Sequence, residues 1–365
     1  MPFFSIARSF AARAAATALL AASIAAPAHA QLLNGPLPGE AGPSSPASKV
    51  PNVELRQDLF IVAHRGGAGL FPENTLPAVR NALALGVDAI EIDVQLTKDG
   101  ELVAYHDLEL NPATTQAPYD EWLVKPGPAI KDLTYEELEV YDVGGVDPRS
   151  DLAQKYPDQQ RVEETQAPLV REVIRTIIEE GTGGERLWVE IKTDPTKPEL
   201  SSSSVATAEA VVKLLREEGF LARADIMSFD WNALDRVKAL HPISRRVYLT
   251  MSPKWLRAET SALSAAEVRR MWWAGVDIDA FGGSVPKAIA SKGGLIWAPF
   301  HGDLDGASVA EAERLGLTVS AWTVNDLGRM QQMLALGVDS IVTDRPDILL
   351  AMVGRLGRRG VGPAP

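Results

Sequence analysis

The chain has no cysteine in 365 residues, which excludes disulfides and a lipid-modified cysteine anchor. It lacks any excess of positive charge: 36 Lys and Arg stand against 48 Asp and Glu, a formal charge of −12. Phosphates of nucleic acid or of an anionic membrane attract basic surfaces, so neither is an expected partner. Long hydrophobic runs are also scarce. The one clear run, Ala14 to Ala26, is shorter than the ~20 residues a membrane span needs, and no second stretch supports it. No stable membrane insertion is expected.

What stands at the front instead is a pattern for export. Arg8 and Arg13 precede that alanine-rich run, and Ala28-His29-Ala30 fits a small-x-small cleavage site. Residues 1–30 are predicted to be a cleaved signal peptide, which places the mature protein in the periplasm or outside the cell. Losing two arginines and no acid takes the charge from −12 to −14. Residues 31–55, with "GPLPGEAGPSSPAS", hold little that could be buried and are predicted to be a flexible linker. Residues 356–365 are predicted to be a disordered tail.

Residues 56–355 read as one domain. Eight short apolar or β-branched runs recur: "FIVAH", "AIEIDVQL", "RLWVEIK", "DIMSFD", "RRVYLT", "GLIWAPF", "LTVSAWTV" and "VDSIVTD". Between most of them lie helix-period segments closed by glycine. Leu76, Val79 and Leu83 precede Gly86; Leu169, Val173, Ile174 and Ile177 precede Gly181; Leu327, Met330 and Leu334 precede Gly337. Alternating strands and helices imply a parallel sheet with right-handed crossovers. Eight units predict an α/β fold, a TIM-type (β/α)8 barrel, with a small insertion after the second strand. Seven strands plus a hairpin would fit almost as well. A doubly wound sheet is disfavoured because no G-x-G-x-x-G follows the first strand.

In such a barrel, polar residues at strand carboxyl ends gather at one mouth. Glu91 and Asp93 share one face of their strand while Ile90, Ile92 and Val94 share the other, and Glu190 and Lys192 flank Ile191 in the same way. Inward carboxylates repel and raise one another's pKa unless a cation sits among them. Oxygen ligands without cysteine favour a hard ion, Mg²⁺ or Ca²⁺. Lys192 also fits a purely structural pairing with Glu190. "TKDG" predicts a tight hairpin turn whose returning strand carries His106-Asp107 back over the mouth. The run "IVAHRGG" ends its strand in His64-Arg65, a basic pair that a simple turn does not require. Two histidines, a cation and two basic residues suit hydrolysis of a phosphate ester.

"AHRG" with "PENT", "EIDVQLTKDG" with "HD", "VEIK", "SFD", "AWTVND" and "TDRPD" follow one another in order. Over about residues 59 to 350 the chain thereby resembles the glycerophosphodiester phosphodiesterases. The resemblance implies a TIM-type barrel with one divalent cation at Glu91, Asp93 and Glu190. It implies an acid–base pair in His64 and His106, and phosphate held by Arg65 and Lys192. Products would be sn-glycerol 3-phosphate and an alcohol, released from a small-molecule phosphodiester. By analogy with related barrels His106 is the acid and His64 the base.

Trp322 is counted with the substrate-binding residues and, with Phe229, fits an apolar groove for glycerol or alcohol, with core packing as the alternative. His301 is expected at the surface, "LTYEEL" as a short helix and "FGGSVPKAIASKGG" as a helix with turns. The long stretch between His106 and Leu169 has the place of a roof that could select the alcohol. Two other functions fit the same residues. One is a lipid headgroup phosphodiesterase that forms a cyclic phosphate. The other is a catalytically silent periplasmic binding protein for glycerophospho-compounds.

Overall fold

A computed structural model describes residues 58–119, 121–252 and 264–357. The signal peptide and linker predicted from the sequence, and the tail from residue 358, lie outside the described residues. The chain runs β1 (Phe60–Ala63), α1 (Leu76–Leu85), β2 (Ala89–Leu96), β3 (Leu102–Ala104), β4 (Gln116–Ala117), β5 (Glu121–Trp122), α2 (Tyr135–Leu138), α3 (Asp151–Lys155), α4 (Val170–Glu180), β6 (Arg186–Ile191), α5 (Ser204–Glu217), β7 (Ala224–Ser228), α6 (Trp231–Leu240), β8 (Arg245–Thr250), α7 (Ala265–Trp272), α8 (Val285–Ser291), β9 (Ile296–Pro299), α9 (Gly306–Arg314), β10 (Thr318–Ala321), α10 (Leu327–Leu336), β11 (Ser340–Thr343) and α11 (Pro346–Met352). Among the described residues no helix is long and apolar enough to cross a membrane.

Each of the eight apolar runs becomes a barrel strand. The sheet order is β1-β11-β10-β9-β8-β7-β6-β2, and β1 pairs with β2 to close the ring. Those pairings are parallel, while β3 joins the outside of β2 as an antiparallel hairpin arm, Val94 opposite Ala104. The barrel is therefore eight-stranded and the hairpin is additional.

Alternation along the strands sorts the side chains. Ile90, Ile92 and Val94 leave the barrel outward and join Ile61, Val189 and Ile191 in the layer beneath the helices. Truncating one of these fully buried side chains, Ile92→Ala for example, costs about 2–5 kcal/mol. Inside, Val62, Trp188, Met227, Val247, Ile296 and Val342 fill the barrel. Near the amino ends of the strands, buried Asp225 receives Arg186 and Arg245, each through Nε at 2.5 Å. Such a pairing offsets part of the desolvation cost of the buried carboxylate.

Helix ends follow the glycines unequally. Gly86 and Gly337 close α1 and α10 in the left-handed region, at φ 80° and 82°. Gly181 ends α4 in extended backbone instead, where a Cβ would sit 2.5 Å from the Ile177 carbonyl oxygen. "LTYEEL" forms α2 with a Thr134–Glu137 capping box, and "FGGSVPKAIASKGG" contains α8. The insertion between β3 and α4 buries its own apolar cluster, including Tyr105, Leu110, Ile130 and Leu138. It is a folded layer against the hairpin rather than a bare loop.

Candidate active site

The chain leaves β1 through a tight turn, His64–Gly66, in which Arg65 takes a left-handed conformation at φ 51°. Non-glycine residues seldom adopt that region, and the strain here has a visible use. It turns the Arg65 N–H onto Glu91 Oε2 at 2.7 Å. Gly66 follows at φ 81°, and a Cβ there would meet Ala78 Cβ at 2.7 Å, so glycine lets the turn rest on α1. The two glycines after His64-Arg65 thus allow the turn that aims the basic pair.

The next residues brace what the turn aims. Arg65 donates through Nη1 to Glu73 Oε2 at 2.9 Å, and its Nε lies 3.2 Å from Asp93 Oδ2. Asn74 clasps Asp93 twice, its Nδ2 donating to Oδ2 and its Oδ1 accepting the Asp93 N–H, both at 2.9 Å. Thr75 then caps α1 by accepting from the Ala78 N–H. On the neighbouring strand β6 and just past its end, Lys192 Nζ donates to Glu190 Oε1 at 2.7 Å and lies 3.5 Å from Asp93 Oδ1.

Glu91, Asp93 and Glu190 are buried, and each offers an oxygen within 4.8 Å of the others. Glu91 Oε1 and Asp93 Oδ1 are inaccessible and accept no hydrogen bond. Buried carboxylate oxygens without donors are costly, and three converging ones more so. Burial, then Asp93 and Glu190, pushes the Glu91 carboxyl well up. Burial likewise raises Glu190, against the pull of Lys192. For Asp93 burial is overcome by His106, Lys192 and Arg65, which hold it below the usual carboxylate range. This donor set, oxygen only with two oxygens unserved, fits a hard divalent cation.

Each histidine has its own carboxylate. His64 Nδ1 lies 2.6 Å from Asp344 Oδ1, and His106 Nδ1 lies 2.8 Å from Asp107 Oδ1. Asp344 is in turn held by Asn325, whose Nδ2 donates to Oδ2 at 2.7 Å, and by the Tyr156 hydroxyl at 3.2 Å. Asp107 accepts from Asn111 Nδ2. The β2–β3 hairpin returns His106 to the level of the acids, because the Tyr105 N–H bonds the Asp93 carbonyl at 3.0 Å. With Nδ1 engaged, Nε2 is the ring nitrogen left for chemistry on both. Burial lowers the His64 pKa, and burial with Arg65 and Lys192 takes His106 well below its ordinary value.

His64, Arg65, Glu91, His106, Glu190 and Lys192 line one mouth that is open to solvent. Its other half is apolar: Met227, Phe229, Leu249, Met251, Phe300 and Trp322. Of the residues singled out from the sequence, His64, Arg65, Glu91, His106, Glu190, Lys192 and Trp322 line the mouth directly, and Asp93 lies buried beneath it. Trp322 commits its indole N–H to the Ala298 carbonyl at 2.8 Å, so it offers a ring face and no donor for phosphate. Phe229 packs edge-on against that ring at 5.2 Å.

His301 departs from expectation. It is half-buried beside Phe300, accepts from Arg329 Nε at 2.8 Å, and has its pKa pushed down to about 4 by burial and Arg329. The sequence offers Asn325 and Asp344 only as polar strand ends at the mouth, and Glu73, Asn74 and Asp107 only inside the motifs, none with a role. Lys155 and Tyr156, from the insertion, carried no signal at all.

Residues 64–348 match the Glycerophosphoryl diester phosphodiesterase family. A solved structure from Silicibacter pomeroyi DSS-3, assigned to the same activity, is 31% identical, with a TM-score of 0.71 over 82% of this chain and 97% of that one. The glycerophosphodiester phosphodiesterase of Caldanaerobacter subterraneus is 27% identical over 82% of this chain and 99% of its own length. An Oleispira antarctica phosphodiesterase, solved with the product sn-glycerol-3-phosphate, is 24% identical with a TM-score of 0.58 over 80% of this chain and 96% of that one, a likeness of fold. With the family match spanning most of the barrel, the chain belongs to the glycerophosphoryl diester phosphodiesterase family.

Proposed function

We propose that this chain hydrolyses glycerophosphodiesters to sn-glycerol 3-phosphate and an alcohol at the barrel mouth, with one divalent cation, outside the cytoplasm. The observation that carries the reading is the convergence of two carboxylate-braced histidines, Arg65 and Lys192 on one buried triad of acids. Glu91, Asp93 and Glu190 would hold the cation, Mg²⁺ or Ca²⁺, which when bound supplies positive charge against the phosphoryl oxygens.

The chain's own groups supply the rest. Arg65 and Lys192 stand at the same mouth and neutralise an anionic diester. His64, neutral and with Nδ1 fixed by Asp344, presents Nε2 as a base to water. Water adds to phosphorus, its proton passes to His64, and the bond from phosphorus to the alcohol oxygen breaks. His106 gives the departing oxygen its proton. Burial, with Arg65 and Lys192, disfavours the His106 cation in the free protein, and the negative charge of the bound diester is what favours its protonated form. The apolar half of the mouth takes the carbon skeleton.

Export rests on the sequence of the first 30 residues, and N-terminal sequencing of protein from secreting cells should begin near Gln31. The activity is tested with purified protein and a panel of glycerophosphodiesters, following sn-glycerol 3-phosphate and free alcohol. Binding without turnover would mark a silent receptor. A cyclic phosphate that accumulates would mark the headgroup-cyclising chemistry instead.

A further inference from the structure

The insertion reaches the mouth through one short segment. Ser150 caps α3 by accepting the Ala153 N–H, and Leu152 and Tyr156 are buried against Ala68. Gln159 Nε2 donates to the Ala68 carbonyl at 2.7 Å, and the Gln160 N–H to the Leu70 carbonyl at 2.8 Å. The segment is thus clamped onto the loop that carries His64 and Arg65. Tyr156 continues inward to Asp344, and Lys155, the last residue of α3, lines the mouth with its ammonium 5.1 Å above the Tyr156 ring.

Lys155 differs from the other two cations of the mouth. Arg65 is held by Glu73 and Asp93, and Lys192 by Glu190 and Asp93. The neighbour of Lys155 is Asp344 Oδ2, at 3.9 Å, beyond hydrogen-bond distance. Asp344 is already engaged by His64, Asn325 and Tyr156 at shorter range. Among the described residues Lys155 donates no hydrogen bond, and its side chain is 28% exposed. Lys155 thus presents its ammonium at the rim of the mouth with donors that no described residue engages at hydrogen-bond distance, its charged neighbour Asp344 being shared with three other groups.

From this placement we infer that Lys155 is a specificity residue that receives a second anionic group on the alcohol of the substrate. The substrate class it favours is a glycerophosphodiester whose headgroup carries a further phosphate or carboxylate, over one with a quaternary ammonium. The phosphodiester itself meets Arg65, Lys192 and the acid triad deeper in the mouth, so Lys155 is left to read what projects past it. The inference rests on the hydrolytic function proposed above and adds its headgroup.

The test uses the full mature chain and three substrates: a glycerophosphoinositol monophosphate, neutral glycerophosphoglycerol and cationic glycerophosphocholine. Wild type is expected to turn over the first with the highest kcat/KM, and raising ionic strength should narrow its lead. In Lys155→Gln the ratio of kcat/KM for the inositol monophosphate to that for glycerophosphocholine should fall about tenfold. Lys155→Glu should lower the ratio further, and Lys155→Arg should keep it. An unchanged ratio in Lys155→Gln overturns the assignment. So does an equal loss on all three substrates, which would give Lys155 a general or structural role. A wild type that hydrolyses none of the three removes the hydrolytic function, and this inference with it.

Discussion

His64 Nδ1 and Asp344 Oδ1, 280 residues apart in sequence, meet at 2.6 Å where β1 and β11 lie side by side. The contact fixes which nitrogen of His64 faces the substrate, in the way a base is oriented by a third group. Asp344→Asn should therefore lower kcat on the order of 10²–10⁴-fold, with KM moving far less. A kcat equal to wild type would show that Asp344 serves the fold alone.

The pH dependence gives that pair a second readout. Burial lowers the His64 pKa below its ordinary 6.5, with Arg65 adding to the effect and Asp344 opposing it. A base with a lowered pKa stays neutral further into acid, so the acid limb of kcat/KM should lie below pH 6.5. Removing the opposing charge in Asp344→Asn should move that limb lower still. A limb above 6.5, or one that moves up in the variant, contradicts the assignment.

The cation has a direct measurement in calorimetry. Asp93→Ala removes an oxygen of the triad and should weaken Mg²⁺ or Ca²⁺ binding by at least about tenfold. Asp99→Ala, in the hairpin turn where the acid bonds Thr97 and the Tyr135 N–H, should leave the affinity as it was. Equal affinities in wild type and Asp93→Ala would remove the triad from the metal site.

Substrate choice separates the two histidines. Nitrophenolate leaves without a proton, so His106→Ala should lose on the order of 10²–10⁴-fold on glycerophosphodiesters and far less on a nitrophenyl phosphodiester. His64→Ala should lose heavily on both. Rescue of His64→Ala by the nitrophenyl substrate would reverse the two roles.

His301 links the mouth's outer wall to stability. Its pKa in the fold, about 4, is below the unfolded value of 6.5, so the native state favours the neutral ring. Stability from that preference is present above pH 6.5 and is lost as pH falls from there through about 4. His301→Gln should lose less Tm than wild type between neutral pH and pH 4. An identical loss in both proteins would place the acid sensitivity elsewhere.

The barrel was legible because its code is local: period-two alternation at Glu91 and Asp93, and helix-period runs closed by Gly86 and Gly337, are written within single elements. The mouth was legible where strand ends carry its residues, as with His64, Glu190 and Lys192. What braces them was not. Asn74 reaches Asp93 and Asp344 reaches His64 only after the ring closes, and no spacing in the chain encodes those distances. Lys155 and Tyr156 were least visible, because an insertion's docking depends on tertiary contacts such as Gln159 to Ala68. His301 misled for a related reason: Arg329, which covers it, lies 28 residues onward.

The step on which the proposed function depends is attack of water on phosphorus of a glycerophosphodiester at this mouth. Turnover of the wild-type protein in ¹⁸O-labelled water, with Mg²⁺ or Ca²⁺ present, tests it most directly. One labelled oxygen is expected in the phosphate of sn-glycerol 3-phosphate and none in the alcohol. Label in the alcohol, or a cyclic phosphate accumulating without label, would contradict it.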